Sequence, residues 1–420
     1  MKPPFFEKMR RGGEVLSRNR LLGVAVGGVA VAGLLDAVRL WRQENYPLSA
    51  QSGQKPPKDL IFTNPQSQVS LNVPKTSIDE ISIDVDYKDP KSRKLYSTGQ
   101  TVIFTEINAL PSGTTEINAE TLNIIMPLGF AATLYEPPKN RFGPKWAKNA
   151  CAKDVQAARE ICETTAAQLA AQSGRPVRLI VPESQGLGNS SVPTLRQTAL
   201  GYFGRYDNML QTQLDAMHLE YGPEFEDNEI FFLGYSRAGR MTAHMAELTA
   251  KKYGKENVLG FASIDPAGTV TRNWALSLSK LLKDGPTRQY YNPEFEELPS
   301  WRELVIGYQT FGVKGLLSLV ESMGLNNPGF LATVKKLGKL GIAGTVACID
   351  GSTVTPPKGH KKVNKRVGRS TIKHLVTGPN TYHTHAALYH EDMPAIMAAM
   401  VMNTLSMGTL EKIDNVMDAI

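Results

Sequence analysis

Past residue 78 the chain alternates short apolar runs with longer stretches of helical spacing. EISIDVDYK at 80–88 alternates apolar and polar positions, the period of a strand with one covered face, and QTVIFTEI at 100–107 reads as a second strand. The runs TLNIIMPL (121–128), VRLIVPE (177–183), EIFFLGY (229–235), NVLGFASID (257–265), GIAGTVACID (341–350) and TIKHLV (371–376) are richer in apolar residues, as strands buried on both faces are. Between them fall helical patterns: an alanine-rich stretch at 144–173, a long region at 192–221, RAGRMTAHMAELTAKKYG from Arg237, mixed helical character over 270–340 and a last helix from about 392. Strands alternating with helices predict an α/β fold: a mostly parallel sheet with helices on both faces, opened by two antiparallel strands.

The first 77 residues follow a different pattern. LLGVAVGGVAVAGLLDAV at 21–38 is apolar except for Asp36 and just reaches the length that spans a bilayer. Basic residues outnumber acidic ones before it, so the positive-inside rule predicts a single-pass anchor with a cytoplasmic N-terminus and the remaining chain outside. A cleaved signal peptide, with LSA at 48–50 as a processing site, and a helix packed on the protein itself are the rival readings. Residues 43–77 are polar and proline-bearing and read as a linker. The expected organisation is therefore a basic region and anchor (1–42), a linker (43–77), a core (78–269 and 341–420) and an inserted helical cap (270–340).

Charge and cysteine content narrow the function classes. The net charge of +7 is local: residues 1–42 contribute +5 and residues 358–373 contribute +7, so the rest of the chain nets −5. Two patches without a recognition motif do not make a nucleic-acid-binding surface. The cluster Lys358–Lys373 reads first as a solvated loop and second as a site for an anionic substrate or lipid head groups. Cys151 and Cys162 are too far apart on one helix to form a disulfide, and Cys348 falls in a buried strand, so all three read as small packing residues.

Chemistry concentrates where the 229–235 strand meets the next helix. Gly234-Tyr235-Ser236-Arg237-Ala238 places small residues two before and two after a serine, as a sharp strand-to-helix turn demands. In this setting the chain resembles the α/β-hydrolase superfamily over roughly residues 80–410. Pro127-Leu128-Gly129-Phe130 is similar to the family's oxyanion turn, with Leu128 where a histidine is usual. Pro182 through Ser190 resembles its proline-x-x-glycine-x-glycine-x-serine loop. The resemblance implies an α/β-hydrolase fold with a helical lid, Ser236 as nucleophile, and the backbone N–H groups of Phe130 and Arg237 as oxyanion donors.

The family also places a histidine in the loop after the last strand, where His383, His385 and His390 occur; spacing to the final helix favours His385, with His383 next. The acid would end the 341–350 strand at Asp350, or the preceding strand at Asp265, and strand position favours Asp350. His-x-His at 383–385 lacks the further ligands that a metal would need, and no cofactor is implied. The expectation is a serine esterase acting through an acyl-enzyme on a small-molecule or lipid-like substrate with a hydrophobic part. A membrane-tethered binding module on the same fold is the competing class.

Overall fold

The computed structural model describes residues 60–74, 83–129, 133–135, 145–185, 190–222, 229–269, 329–352, 357–367, 371–378 and 392–417. Its strands are β1 (Phe62–Thr63), β2 (Ile83–Tyr87), β3 (Lys91–Lys94), β4 (Thr101–Pro111), β5 (Leu122–Ile125), β6 (Val177–Pro182), β7 (Ile230–Tyr235), β8 (Val258–Ile264), β9 (Gly344–Cys348) and β10 (Ile372–Thr377). Its helices are α1 (Lys145–Ser173), α2 (Leu195–Tyr202), α3 (Asp207–Tyr221), α4 (Arg237–Tyr253), α5 (Gly329–Lys339), α6 (Pro357–Val367) and α7 (Met393–Met417).

All the strands join one sheet in the order β1-β10-β9-β8-β7-β5-β6-β4-β2, with β3 paired to β4. From β6 to β10 every pairing is parallel, whereas β2, β3 and β4 at one side and β1 at the other pair antiparallel. The apolar runs form the parallel part because helices cover both faces there, leaving no solvated side on which to place polar residues. On one face α1 and α7 pack together, with Cys162, Ala166, Leu169, Met397 and Met400 in the core. On the other, Met209, Met241, Phe330, Val334 and Val363 bring α3, α4, α5 and α6 into a second apolar layer.

The chain runs from β5 to β6 on one side and then returns to lie on the other side of β5 as β7. That reversal falls between β5 and β7, and open α/β sheets bind ligands beyond the carboxyl ends of their strands at such a switch point. Among the described residues singled out from the sequence, Gly129, Ser236, Asp265 and Asp350 each follow the carboxyl end of a parallel strand.

Several expectations change in detail. The predicted 192–221 helix is broken into α2 and α3, because Gly204 takes a positive φ of 76° between them. The predicted basic loop is mostly α6, a regular crossover helix from β9 to β10. Within the stretch read as a linker, Leu60, Phe62 and Leu71 are buried and β1 closes the sheet edge against β10. The last part of the predicted cap is α5, whose Phe330, Leu331, Val334 and Leu337 are buried in the core. Residues 270–328 and the proposed span at 21–38 lie outside the described residues. Among the described residues no helix is long and apolar enough to cross a membrane.

Candidate active site

Ser236 stands between β7 and α4 with φ 58° and ψ −121°, backbone angles that a side-chain-bearing residue rarely adopts. Three backbone hydrogen bonds hold it there. Its N–H donates to the Ile264 carbonyl at 2.8 Å, and its carbonyl accepts from Arg240 N at 3.3 Å and Ala267 N at 3.2 Å. The turn is so tight that a Cβ on Gly234 would lie 2.7 Å from both the carbonyl carbon and oxygen of Ala238 and 2.8 Å from Thr242 Cγ2. Only glycine fits there, and Ala238 is fully buried on the opposing side of the bend. Ser236 itself is half-buried, reachable from solvent at the sheet edge.

The strand neighbours of β7 bring the other candidates to the same edge. Gly129, just beyond β5, lies alongside Tyr235: a Cβ there would be 3.7 Å from the tyrosine ring and from its carbonyl oxygen. The Pro127–Gly129 segment therefore borders the elbow, while Phe130 lies outside the described residues. Arg237 opens α4, where N–H groups have no acceptor within the helix. Its side chain is buried, and Nη1 donates to Ser184 Oγ at 2.7 Å.

This contact shows what the 182–190 segment does. Glu183, buried beside Ser184, accepts from Thr133 Oγ1 at 2.9 Å and from Ser190 N at 2.9 Å. Its backbone carbonyl also accepts from Gln213 Nε2 at 3.2 Å. The carboxylate thus ties together the segments following β5 and β6, and Arg237 joins that frame to the residue after the serine. Sequence reasoning read Glu183 only as part of a fold marker. Its signal was an acid directly after an apolar strand, where a solvated carboxylate would not be expected.

The two candidate acids occupy different settings. Asp350 lies just past the end of β9, half-buried, and its N–H donates to Thr377 Oγ1 at 2.9 Å. Asp265 is fully buried at the end of β8, with φ 42°. One of its carboxylate oxygens accepts from Ile349 N at 3.2 Å, and the other makes a short hydrogen bond from Ser352 Oγ. Loop residues His383, His385 and His390 lie outside the described residues, between Gly378 at the end of β10 and Asp392 at the start of α7.

His244, His360 and His374, outside that segment, are buried. Burial, reinforced by the charge of Arg240, pushes the His244 imidazole down to about 3, and Thr333 Oγ1 lies 3.1 Å from its Nδ1. Burial, then neighbouring His360, lowers His374 to about 4. Burial similarly pushes the Cys162 thiol up to about 12, and all three cysteines are buried and unbonded to one another. Such thiols are poor nucleophiles. No group of three His, Cys, Asp or Glu residues is placed to hold a metal ion among the described residues.

A mixed sheet with this strand order, its crossing at β5 and a serine at positive φ between β7 and α4 together decide the architecture. The fold is the α/β-hydrolase fold. No family model and no curated protein matches the sequence. Solved structures of similar shape include a thermophilic esterase from Thermogutta terrifontis, 14% identical, covering 76% of this chain and 99% of its own with a TM-score of 0.45. A thioesterase domain from the curacin biosynthetic pathway is 12% identical, covers 75% of this chain and 100% of its own, and scores 0.44. A membrane phospholipase A is 14% identical, covers 94% of this chain and 99% of its own, and scores 0.44. The α/β-hydrolase assignment rests on strand order and elbow geometry, not on these likenesses, whose TM-scores fall under 0.5.

Proposed function

We propose that the chain is a serine hydrolase that cleaves an ester or related acyl bond, with Ser236 as the nucleophile. What supports this most is the positive φ of Ser236 at a turn that tolerates only glycine at position 234. A strained side-chain-bearing residue at a sheet edge is a common mark of a working site.

In this reading His385, or His383 beside it, takes the hydroxyl proton as Ser236 Oγ attacks the acyl carbonyl. The Arg237 and Phe130 backbone N–H groups stabilise the oxyanion. The same imidazole protonates the departing alcohol and then activates water to release the acyl-enzyme. Between the two candidate acids we assign the orienting role to Asp265. Its carboxylate is buried and already held by two donors, and its strand is bonded directly to the elbow. Ile349 N–H and Ser352 Oγ fix the direction of that carboxylate, and an acid held in this way can orient an imidazole. Asp350, favoured on strand position, remains the comparison. The apolar positions of the predicted cap, among them Trp274, Leu278, Leu281, Leu316 and Leu317, support a substrate with a hydrophobic acyl part.

The test is covalent labelling with a fluorophosphonate. The parent is expected to label and Ser236→Ala is not; an unlabelled parent, or equal labelling of both, would sink the proposal. We further propose that residues 21–38 anchor the chain with its N-terminus cytoplasmic and the hydrolase domain outside. Release of the chain by alkaline carbonate from membranes would refute the anchor.

A further inference from the structure

Helix α2 is built inside out. Its inward face is polar: Gln197 closes a capping box with Thr194, accepts from Gln100 Nε2 at 2.9 Å and donates to Thr212 Oγ1 at 3.1 Å. The apolar residues face water instead. Leu195 is 83% exposed, Phe203 just past the helix 68% and Tyr202 43%, the two rings meeting edge to face with centroids 5.4 Å apart. Burial in the core would recover free energy from each of these side chains; instead Leu195 stands outward at the start of the helix and the two rings at its end.

The neighbouring helices supply the charge. Gly204, next to Phe203, is bonded through its carbonyl to Arg240 of α4 at 3.0 Å, and a Cβ on Gly329 at the start of α5 would lie 3.7 Å from the same oxygen. Helix α5 packs in turn on α6. Helix α6 buries His360, Val363 and Val367 and turns Lys358, Lys361, Lys362, Lys365 and Arg366 outward, while α5 adds exposed Lys335 and Lys339. Neither helix contains an Asp or Glu. The remaining surface must offset these charges, since the chain nets only +7.

We propose that the α2, α5 and α6 surface docks on an anionic lipid bilayer. The Tyr202–Phe203 pair enters the interfacial zone and the cations of α5 and α6 face the head groups. Tyr202, with its polar hydroxyl, favours that zone, and Phe and Leu together with clustered lysines are the composition of interfacial elements. A nucleic acid would complement the lysines but leave the outward Leu195 and Phe203 unexplained. The inference does not depend on the reactivity of Ser236.

The test uses the full chain with Phe203→Trp, mixed with phosphatidylcholine vesicles with or without phosphatidylglycerol, each containing a doxyl-labelled quenching lipid. Emission of the native tryptophans, measured in the parent, is subtracted. Because the proposed anchor would hold the chain on every vesicle, quenching of the added indole reports which face meets the lipid. Quenching is expected in anionic vesicles, with loss in neutral ones, in high salt and in the triple variant Lys361→Gln, Lys362→Gln, Lys365→Gln. Removing three such charges is expected to weaken this docking on the order of a hundredfold. An unquenched indole in anionic vesicles, equal quenching in neutral ones, or binding of a DNA duplex without quenching would each overturn the proposal. Tyr202→Trp serves as a second reporter should the first variant misfold.

Discussion

Ser236→Gly and Ser236→Ala both delete the hydroxyl, yet they should differ in stability. Angles of φ 58° and ψ −121° match the first central position of a type II′ turn, which glycine adopts freely and any residue with a Cβ adopts at a cost. That strain is of order 1–3 kcal/mol. Glycine offsets part of the relief, because it gives up roughly 0.5–1 kcal/mol more chain entropy on folding than alanine. The glycine variant should therefore be more stable than the alanine variant by roughly 0.5–2 kcal/mol. Both should be inactive. Urea denaturation of the two proteins side by side, with the same slope against denaturant, reads the difference from their midpoints. If the alanine variant were equal or superior, the serine would carry no strain, and the main support for its role would be gone.

Other perturbations test neighbouring parts of the site. Gly234→Ala drives a Cβ into backbone atoms 2.7 Å away and should cost about 1–3 kcal/mol together with fluorophosphonate labelling, whereas the 3.7 Å contacts at Gly129 predict that Gly129→Ala leaves the denaturation midpoint unchanged. Asp265→Asn should lower kcat on the order of ten-thousandfold, and Asp350→Asn much less; steady-state kinetics on folded protein showing the reverse order would return the acid to Asp350. His244 and His374 are depressed to about 3 and about 4 from an ordinary 6.5. The unfolded chain then takes up these protons first, so stability present near neutral pH falls as pH drops below about 6.5 and keeps falling toward the folded values. At about pH 5 each histidine should have cost roughly 2 kcal/mol, and denaturation of His244→Gln should show a flatter dependence than the parent over this range.

The sheet was legible in the sequence because its parallel strands are covered on both faces, so burial wrote them as near-continuous apolar runs. The elbow was legible because steric crowding at Gly234 and Ala238 leaves few residue choices. Strand β3 was not: KSRK is exposed over most of its length and is held instead by charged partners on β4 and α3. Lys91 reaches Glu106 at 2.9 Å, and Arg93 pairs with Glu220, contacts between residues far apart in sequence. Burial raises the Glu106 carboxyl, but hydrogen bonds from Lys91, Asn108 and Tyr221 outweigh it and leave the group below its usual range. No local pattern encodes such a network. Helix α6 was missed for another reason. Its apolar stripe is only His360, Val363 and Val367, and lysines around it mask the period that would have revealed it.

The positions of backbone strain bear on the choice of acid. Among the described residues, the non-glycine positions with positive φ are Gln68, Ser236 and Asp265. The latter two end adjacent strands, and their segments are stitched together by Ser236 N to Ile264 O and by Ala267 N to Ser236 O. A left-handed aspartate is less costly than a left-handed serine would be elsewhere, since short polar side chains can hydrogen-bond nearby backbone. Here, however, the Asp265 side chain bonds across the sheet to Ile349 and Ser352. A turn residue whose carboxylate served only its own bend would bond locally. One that is strained, buried and bonded across strands to Ile349 and Ser352 is held by the sheet itself, which supports Asp265 as the acid of the proposed mechanism. His383 and His385 follow β10 in the chain, and β10 pairs directly with β9, the strand that leads to Ile349 and Ser352.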